Sequence, residues 1–224
     1  MPPHWVFATL LLTLGLRVDA EAAGGPAAVV EEANAPSLRL QVMDYVIEGQ
    51  RIALQPSETI ILGYLASCQR ERITGGEIVV GAAESQVVGG DVRRNRVECD
   101  GGAMDITADQ AAKSAVMVFR VPPPPATDAN GHRLPAAQVT LFSLSPVIDA
   151  GPARGAVIVD RLDRSAQAIH LAVEGRSIDL ATRHLKLAAG GLYRASVGER
   201  TIVFQISPGA RSSGGPILGR LLRL

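Results

Sequence analysis

The chain has 224 residues, with 22 basic and 22 acidic side chains and a formal net charge of zero. Its hydrophobic content of 47% is enough for a packed core and excludes a globally disordered chain. A neutral chain also lacks the long-range field that gathers nucleic acid, so we expect no nucleic-acid partner.

The N-terminus contains an unbroken apolar run at residues 6–16, and small residues follow at Ala20, Ala22 and Ala23. The run is shorter than the ~20 residues that a helix needs to span a bilayer. It is typical of a secretory signal peptide, although no Lys or Arg precedes it. We therefore expect residues 1–22 to be a signal peptide, with a buried N-terminal helix or a wrongly assigned start as alternatives. The mature chain is then periplasmic or secreted, with no integral membrane span.

Two cysteines, Cys68 and Cys99, lie in the mature chain. In an oxidising compartment an isolated pair predicts a disulfide. Closing a loop of about 32 residues contributes roughly 3.5–4 kcal/mol on the chain-entropy estimate. A zinc site needs four ligands, and no histidine lies near either cysteine, so we expect no metal and no cofactor.

The first half of the mature chain predicts a β-rich domain. Residues 23–36 are rich in Ala, Gly and Glu without periodicity and indicate a flexible lead-in. Short strand-like runs then fill a domain at 37–121, and residues 38–42 alternate clearly between apolar and polar side chains. One short stretch, 107–113, is helical in pattern. The predicted strands are 38–47, 51–54, 59–65, 77–80, 85–88, 91–97 and 116–121.

A short repeat marks this half: Gly75-Gly76 before an acidic residue recurs as Gly89-Gly90. Tandem glycines supply the positive φ of tight hairpin turns, so the repeat predicts two turns of a meander. The alternative is a phosphate-binding loop. That would need a helix after the glycines, whereas strand-like residues follow both pairs.

Residues 122–137 contain four consecutive prolines and predict a stiff linker that holds two domains apart. The alternative is a long crossover loop within a single sandwich. Seven further strand-like runs predict an immunoglobulin-like or fibronectin-like β-sandwich at 138–210. The fold class expected is all-β, with two small sandwich or barrel domains. The predicted strands are 138–144, 156–161, 168–173, 177–180, 184–187, 192–197 and 201–206.

The last segment, 211–224, is an apolar C-terminal tail. In a helix, Ile217, Leu218, Leu221 and Leu222 would share one face. Such a tail docks on a membrane surface or a partner, or packs back onto the second domain.

Catalytic patterns are scarce in the sequence. His132, His170 and His184 form no metal-binding pair, and neither G-x-S-x-G nor S-x-x-K occurs, so we expect no enzyme. Arg93, Arg94 and Arg96 are the densest basic group and form a candidate patch for an anion or a protein partner. The alternative is an ordinary salt-bridged strand face.

Three stretches resemble parts of known envelope proteins. Residues 45–54, with a G-x-x-I-x-L phrase at Gly49, Ile52 and Leu54, and residues 58–65 resemble the small β-domain of FecR-like periplasmic proteins. Residues 187–195 are similar to the end of immunoglobulin-like modules found beside such domains. The resemblance implies small β-domains in the cell envelope and specifies fold more than activity.

These observations predict a non-catalytic interaction module of the bacterial cell envelope, with an unidentified envelope protein as its partner. A small-ligand or anion sensor that uses the arginine patch is the alternative. A hydrolase whose site is not visible in the sequence is the second alternative.

Overall fold

We describe the fold from a computed structural model, which covers residues 25–101, 133–152 and 155–224. These residues form fourteen β-strands and a short 3-10 turn at Ile217–Gly219, so the expected all-β class is confirmed. The signal peptide at 1–22, the helical stretch at 107–113, the strand predicted at 116–121, His132 and most of the proline-rich linker lie outside the described residues.

The first half forms one antiparallel sheet in the order β2-β1-β3-β4-β5, and β6 also pairs with β4. Its inner face buries an apolar cluster centred on Ile60, Leu62, Tyr64 and Ile73. The strands are β1 (Pro26–Asn34), β2 (Tyr45–Ile47), β3 (Arg51–Tyr64), β4 (Gln69–Val80), β5 (Ser85–Val88) and β6 (Asp91–Arg96).

The flexible lead-in predicted at 23–36 is wrong over Pro26–Asn34, which form β1 between β2 and β3. Val29 and Val30 are both fully buried, although they point to opposite faces of the sheet. A strand covered on both faces has no apolar–polar alternation, which is why its pattern was missed.

The alternating stretch 38–42 is also not a strand, because β2 begins only at Tyr45. The intervening chain turns, with the Leu38 N–H donating to the Ala35 carbonyl and the Asp44 N–H to the Gln41 carbonyl. Leu38 and Leu40 pack on the core from this loop, so their alternation reflects burial without strand pairing.

The two glycine pairs meet at one bend. Gly75 and Gly76 lie inside β4, where β6 pairs with its first half and β5 with its second half. Gly89 and Gly90 join β5 to β6 directly opposite. The prediction of two separate hairpin turns is therefore wrong. Strands β5 and β6 follow one another along the same edge of β4 and form one long hairpin with it, which bends where the two glycine pairs face each other.

A buried carboxylate, Glu58, holds the irregular part of β3. The pairing of β3 with β4 shifts register between Leu54 and Thr59. Glu58 accepts hydrogen bonds from the Ser37 hydroxyl (2.6 Å), the Ser37 N–H (2.8 Å) and the Gln55 N–H (2.8 Å). These donors, the Ser37 hydroxyl first, lower the pKa of the Glu58 carboxyl below its usual range.

We expect Glu58 to stabilise the fold in its ionised form. Because its pKa is lowered by folding, this stabilisation is present above the pKa of an unfolded glutamate and is lost as the pH falls through the folded pKa. Glu58→Gln should therefore be less stable than wild type at neutral pH, and the difference should shrink below about pH 4. Urea unfolding at a series of pH values measures it. Glu48→Gln, at an exposed position, is the control and should leave the pH profile unchanged.

The second half packs a five-stranded sheet, in the order β10-β9-β12-β13-β7, against a three-stranded sheet, β11-β8-β14. Residues of both sheets share one buried cluster, as in a β-sandwich. The strands are β7 (Val139–Leu141), β8 (Val147–Asp149), β9 (Ala156–Arg161), β10 (Ile169–Ala172), β11 (Ser177–Asp179), β12 (Leu192–Val197), β13 (Arg200–Ile206) and β14 (Leu221–Arg223). Residues 184–187, predicted as a strand, form turn and loop.

A tyrosine fixes the corner before β12. The Tyr193 hydroxyl accepts a hydrogen bond of 2.8 Å from the Ala188 N–H, five residues upstream. The Tyr193 ring stacks on the Phe204 ring, with the ring centroids 5.6 Å apart. The guanidinium carbon of Arg161 lies over the Tyr193 ring, 5.4 Å from its centroid. This is the tyrosine-corner geometry that recurs in β-sandwiches.

The C-terminal tail does not form the helix in which its apolar residues would share one face. After the 3-10 turn, β14 adds to β8 in parallel, so the tail completes the second sheet of the sandwich. Leu218 is fully buried, and its N–H donates to Glu31 Oε1 of β1 at 2.7 Å. The tail therefore packs on both halves of the protein.

Side chains of both halves form a third apolar cluster at their junction. Two hydrogen bonds add to it: the Tyr45 hydroxyl donates to Asp149 Oδ2 at 2.7 Å, and the Thr140 N–H to Asp100 Oδ2 at 2.9 Å. The expectation that a stiff linker holds the halves apart is therefore wrong for the described residues. The cluster contains Val29, Met43, Leu65, Val147, Leu218 and Leu221.

Candidate functional site

The most exposed element of the first half is β6, which lies at the side of its sheet. It pairs with β4 along one edge, and among the described residues no strand pairs with its other edge. Five of its six residues are exposed. The unpaired edge of a strand presents a row of backbone N–H and C=O groups on which another extended chain can pair.

The three arginines predicted as one patch lie on two faces of β6. Successive strand residues point to opposite sides, so Arg94 and Arg96 share the face of buried Glu71, whereas Arg93 lies on the outer face. The predicted single patch is therefore not formed.

Arg93 is the most exposed of the three, with 83% of its side chain accessible. It lies directly opposite Arg72 of β4, whose side chain is 45% accessible. Among the residues that the structure describes, each makes one long ion pair: Arg93 with Asp91 at 3.6 Å and Arg72 with Glu32 at 3.4 Å. Two guanidinium groups that face each other across strands repel, and exposed pairs of this length contribute little to stability.

Arg94 belongs to a buried network. Its Nε donates to Glu71 Oε1 at 2.6 Å and its Nη2 to the Ser85 carbonyl at 2.7 Å. The Glu71 hydrogen bond raises the pKa of Arg94. Ser85 in turn bonds the Tyr64 hydroxyl at 2.6 Å, and burial raises the pKa of Tyr64 to about 12. Arg94 is thus committed to neutralising a fully buried carboxylate.

Arg96, at the end of β6, borders an open cleft of about 390 Å³ between the two halves. The disulfide, Val97 and Phe142 form its apolar wall, and Glu98 is the acidic residue in its lining. Arg96 makes no ion pair with any other described residue. A guanidinium beside an apolar wall suits a carboxylate attached to an apolar or extended chain.

The predicted disulfide between Cys68 and Cys99 is confirmed, with the Cα atoms 5.7 Å apart. It ties the turn between β3 and β4 to the segment that leaves β6. That segment carries Asp100, which accepts the hydrogen bond from the second half. The disulfide therefore supports both the end of β6 and the junction, and it is compatible with a compartment outside the cytoplasm.

We expect replacement of both cysteines by serine to lower the free energy of unfolding by about 3–4 kcal/mol, since the bond closes a loop with a sequence separation of 31. Urea unfolding of the double variant measures the loss. Wild type unfolded in the presence of a reductant should show the same loss. A double variant as stable as wild type would mean that the bond adds no stability.

The junction also holds an aromatic–arginine cluster that sequence reasoning missed. The guanidinium carbons of Arg176 and Arg223 each lie 4.8 Å from the centre of the Tyr45 ring. Burial, and then the neighbouring Asp149 carboxylate, raise the pKa of Tyr45. The cluster joins β2 to β8 and β14, more than a hundred residues away, so no local pattern could have revealed it.

Histidines, candidate metal ligands and membrane-spanning helices are the remaining features to consider among the described residues. His170 is exposed on β10, as its alternation predicted. Within the ranges that the structure describes, no three His, Cys, Asp or Glu side chains gather as candidate metal ligands. In those ranges there is also no helix with the length and apolar character needed to cross a membrane.

Comparison with known proteins adds no assignment. No protein-family model, no curated protein and no solved structure matches this chain. The geometry of β6 and its surroundings is therefore the basis for any functional proposal.

Proposed function

We propose that this protein is a non-catalytic interaction module of the bacterial cell envelope, which binds an envelope protein along the edge of β6. The observation that carries the proposal is this edge: an exposed strand of six residues whose outer edge pairs with no described strand, on a disulfide-linked sheet. Strand addition to an open edge is a common way for β-domains to bind partners.

Four further features support the proposal. The apolar run at residues 6–16 and the disulfide both favour an exported protein in the periplasm or outside the cell. The resemblance of residues 45–54 and 58–65 to FecR-like domains, and the corner at Tyr193 within the immunoglobulin-like motif at 187–195, also favour an envelope module.

Site-specific crosslinking in living cells tests the proposal. A photo-crosslinking amino acid at Asn95, exposed on β6, should capture one dominant envelope protein, identified by mass spectrometry. The same group at Arg164, exposed in the second half, is the matched control and should not capture it. A captured protein that is the same from both positions, or no captured protein, would contradict binding at β6.

The alternative, an anion sensor, has one observation in its favour: the exposed arginines Arg72 and Arg93 face each other on the outer face. Thermal unfolding with phosphate, sulfate and citrate tests it, because an anion that binds only the folded state raises the Tm. A rise that disappears in Arg93→Gln would favour this alternative over the proposed module. No described cluster favours the hydrolase.

A further inference from the structure

We infer that the β6 edge selects an extended partner segment with two acidic side chains three residues apart, one opposite Arg93 and one opposite Arg96. This inference rests on the proposed function and adds the chemistry of the partner. Its basis is the charge that β6 presents on each of its two faces.

On the outer face, an added strand would place one side chain next to Arg93. That side chain would extend the row formed by Ile61, Arg72 and Arg93 across β3, β4 and β6. The two arginines of this row repel each other, and their acidic neighbours lie at 3.4 and 3.6 Å. A carboxylate here relieves that repulsion, whereas a lysine or arginine would increase it.

On the inner face, Arg94 is already paired with Glu71, so Arg96 is the arginine that is left for a partner. Arg96 borders the cleft at the end of the strand. Arg93 and Arg96 are three residues apart and point to opposite faces. An extended partner strand can place one acidic side chain beside each arginine only when its two acidic residues are also three positions apart, since they must point to opposite faces.

A second copy of the chain fits this edge poorly. Antiparallel self-pairing about a two-fold axis centres on one residue of each strand. Centring on Arg93, Arg94 or Arg96 places that arginine opposite itself, and centring on Asn95 places Arg94 opposite Arg96. Self-pairing centred on Val92 would set Asp91 opposite Arg93, but it extends into the bend at Gly89 and Gly90. The charges of β6 in the first four registers, and the bend in the last, therefore disfavour a homodimer, whereas an acidic partner meets neither obstacle.

Synthetic peptides test the inference directly. The probe is a capped eight-residue peptide of alternating Thr and Val character, with glutamates at its third and sixth positions. Matched peptides carry glutamine or lysine at those positions, or glutamates at the third and fifth. We expect the first peptide to bind about tenfold more tightly than the glutamine peptide, the size expected of two exposed ion pairs. The lysine peptide should not bind, and the third-and-fifth peptide should bind more weakly than the first.

Charge reversal of the protein supplies the second arm. The double variant with Arg93→Glu and Arg96→Glu should lose about tenfold in affinity for the glutamate peptide and should now bind the lysine peptide. Arg164→Glu, at an exposed position in the second half, should behave as wild type. Hydrogen exchange should show slower exchange of amides within Asp91–Arg96 when the glutamate peptide is bound.

Three results would overturn the inference: equal binding of the glutamate and glutamine peptides, protection outside β6, or a concentration-dependent dimer in analytical ultracentrifugation that the double variant abolishes. The proposed function fails separately. A partner captured from Asn95 in cells, with no preference for acidic peptides, would reject the charge inference alone. No captured partner would reject the proposed function, whatever the peptides do.

Discussion

Replacing Gly76 with alanine should lower the free energy of unfolding by about 3 kcal/mol or more. Gly76 has a φ of 83°, and an added Cβ would lie 2.5 Å from the Val88 carbonyl oxygen and 2.6 Å from the Gly90 nitrogen. The left-handed conformation costs an alanine about 1–2 kcal/mol, and backbone shifts around an overpacked site cost about 1–3 kcal/mol more. Urea unfolding of the purified variant measures the loss.

Gly89→Ala is the matched control, because Gly89 lies in the same bend with a φ of 70° but has nothing within 4 Å of an added Cβ. We expect it to lose only the conformational part, about 1–2 kcal/mol. The difference between the free energies lost by the two variants measures the effect of the close approach of the β4 backbone to residues 88–90. Equal losses would show that the paired glycines are required for their φ alone.

The bend also shows where sequence reasoning stops. The repeat of tandem glycines was visible, and the positive φ it implied is present at Gly75, Gly76 and Gly89. The sequence could not show that the two pairs face each other, because pairing between strands is a non-local property. Alternation predicted the bounds of β5, β9 and β12, each buried mainly on one side. It failed for β1, which is covered on both faces.

For the candidate site, part of the answer was present in the sequence. Strand alternation alone separates Arg93 from Arg94 and Arg96, so one patch of three arginines was never compatible with the predicted strand. The role of Arg94 was not accessible, since Glu71, its partner, is 23 residues away and buried by the pairing of β4 with β6. The contact between the halves was equally hidden, because it depends on a tail whose apolar residues also suit a helix.

That tail gives the second large effect. Leu218→Ala should lower the free energy of unfolding by about 2–4 kcal/mol, as expected for a leucine that is fully buried. Leu218 lies in the cluster between the halves. It packs closely on β3, because a Cβ added at Gly63 would lie only 3.3 Å from the Cβ of Leu218. Because Leu218 packs in a cluster with side chains of both halves, its loss should speed amide exchange in β1 as well as in β14, measured by hydrogen exchange with mass spectrometry.

Leu180→Ala is the matched control, because Leu180 is equally buried but lies within the sandwich core of the second half. We expect it to speed amide exchange in the second half and to leave β1 protected. Faster exchange in β14 alone after Leu218→Ala would mean that the tail does not couple the halves. If the coupling is observed, the segment after β6 is fixed by the disulfide on one side and by the second half on the other. The β6 edge would then meet its partner as a rigid strand, with little ordering of the protein needed on binding.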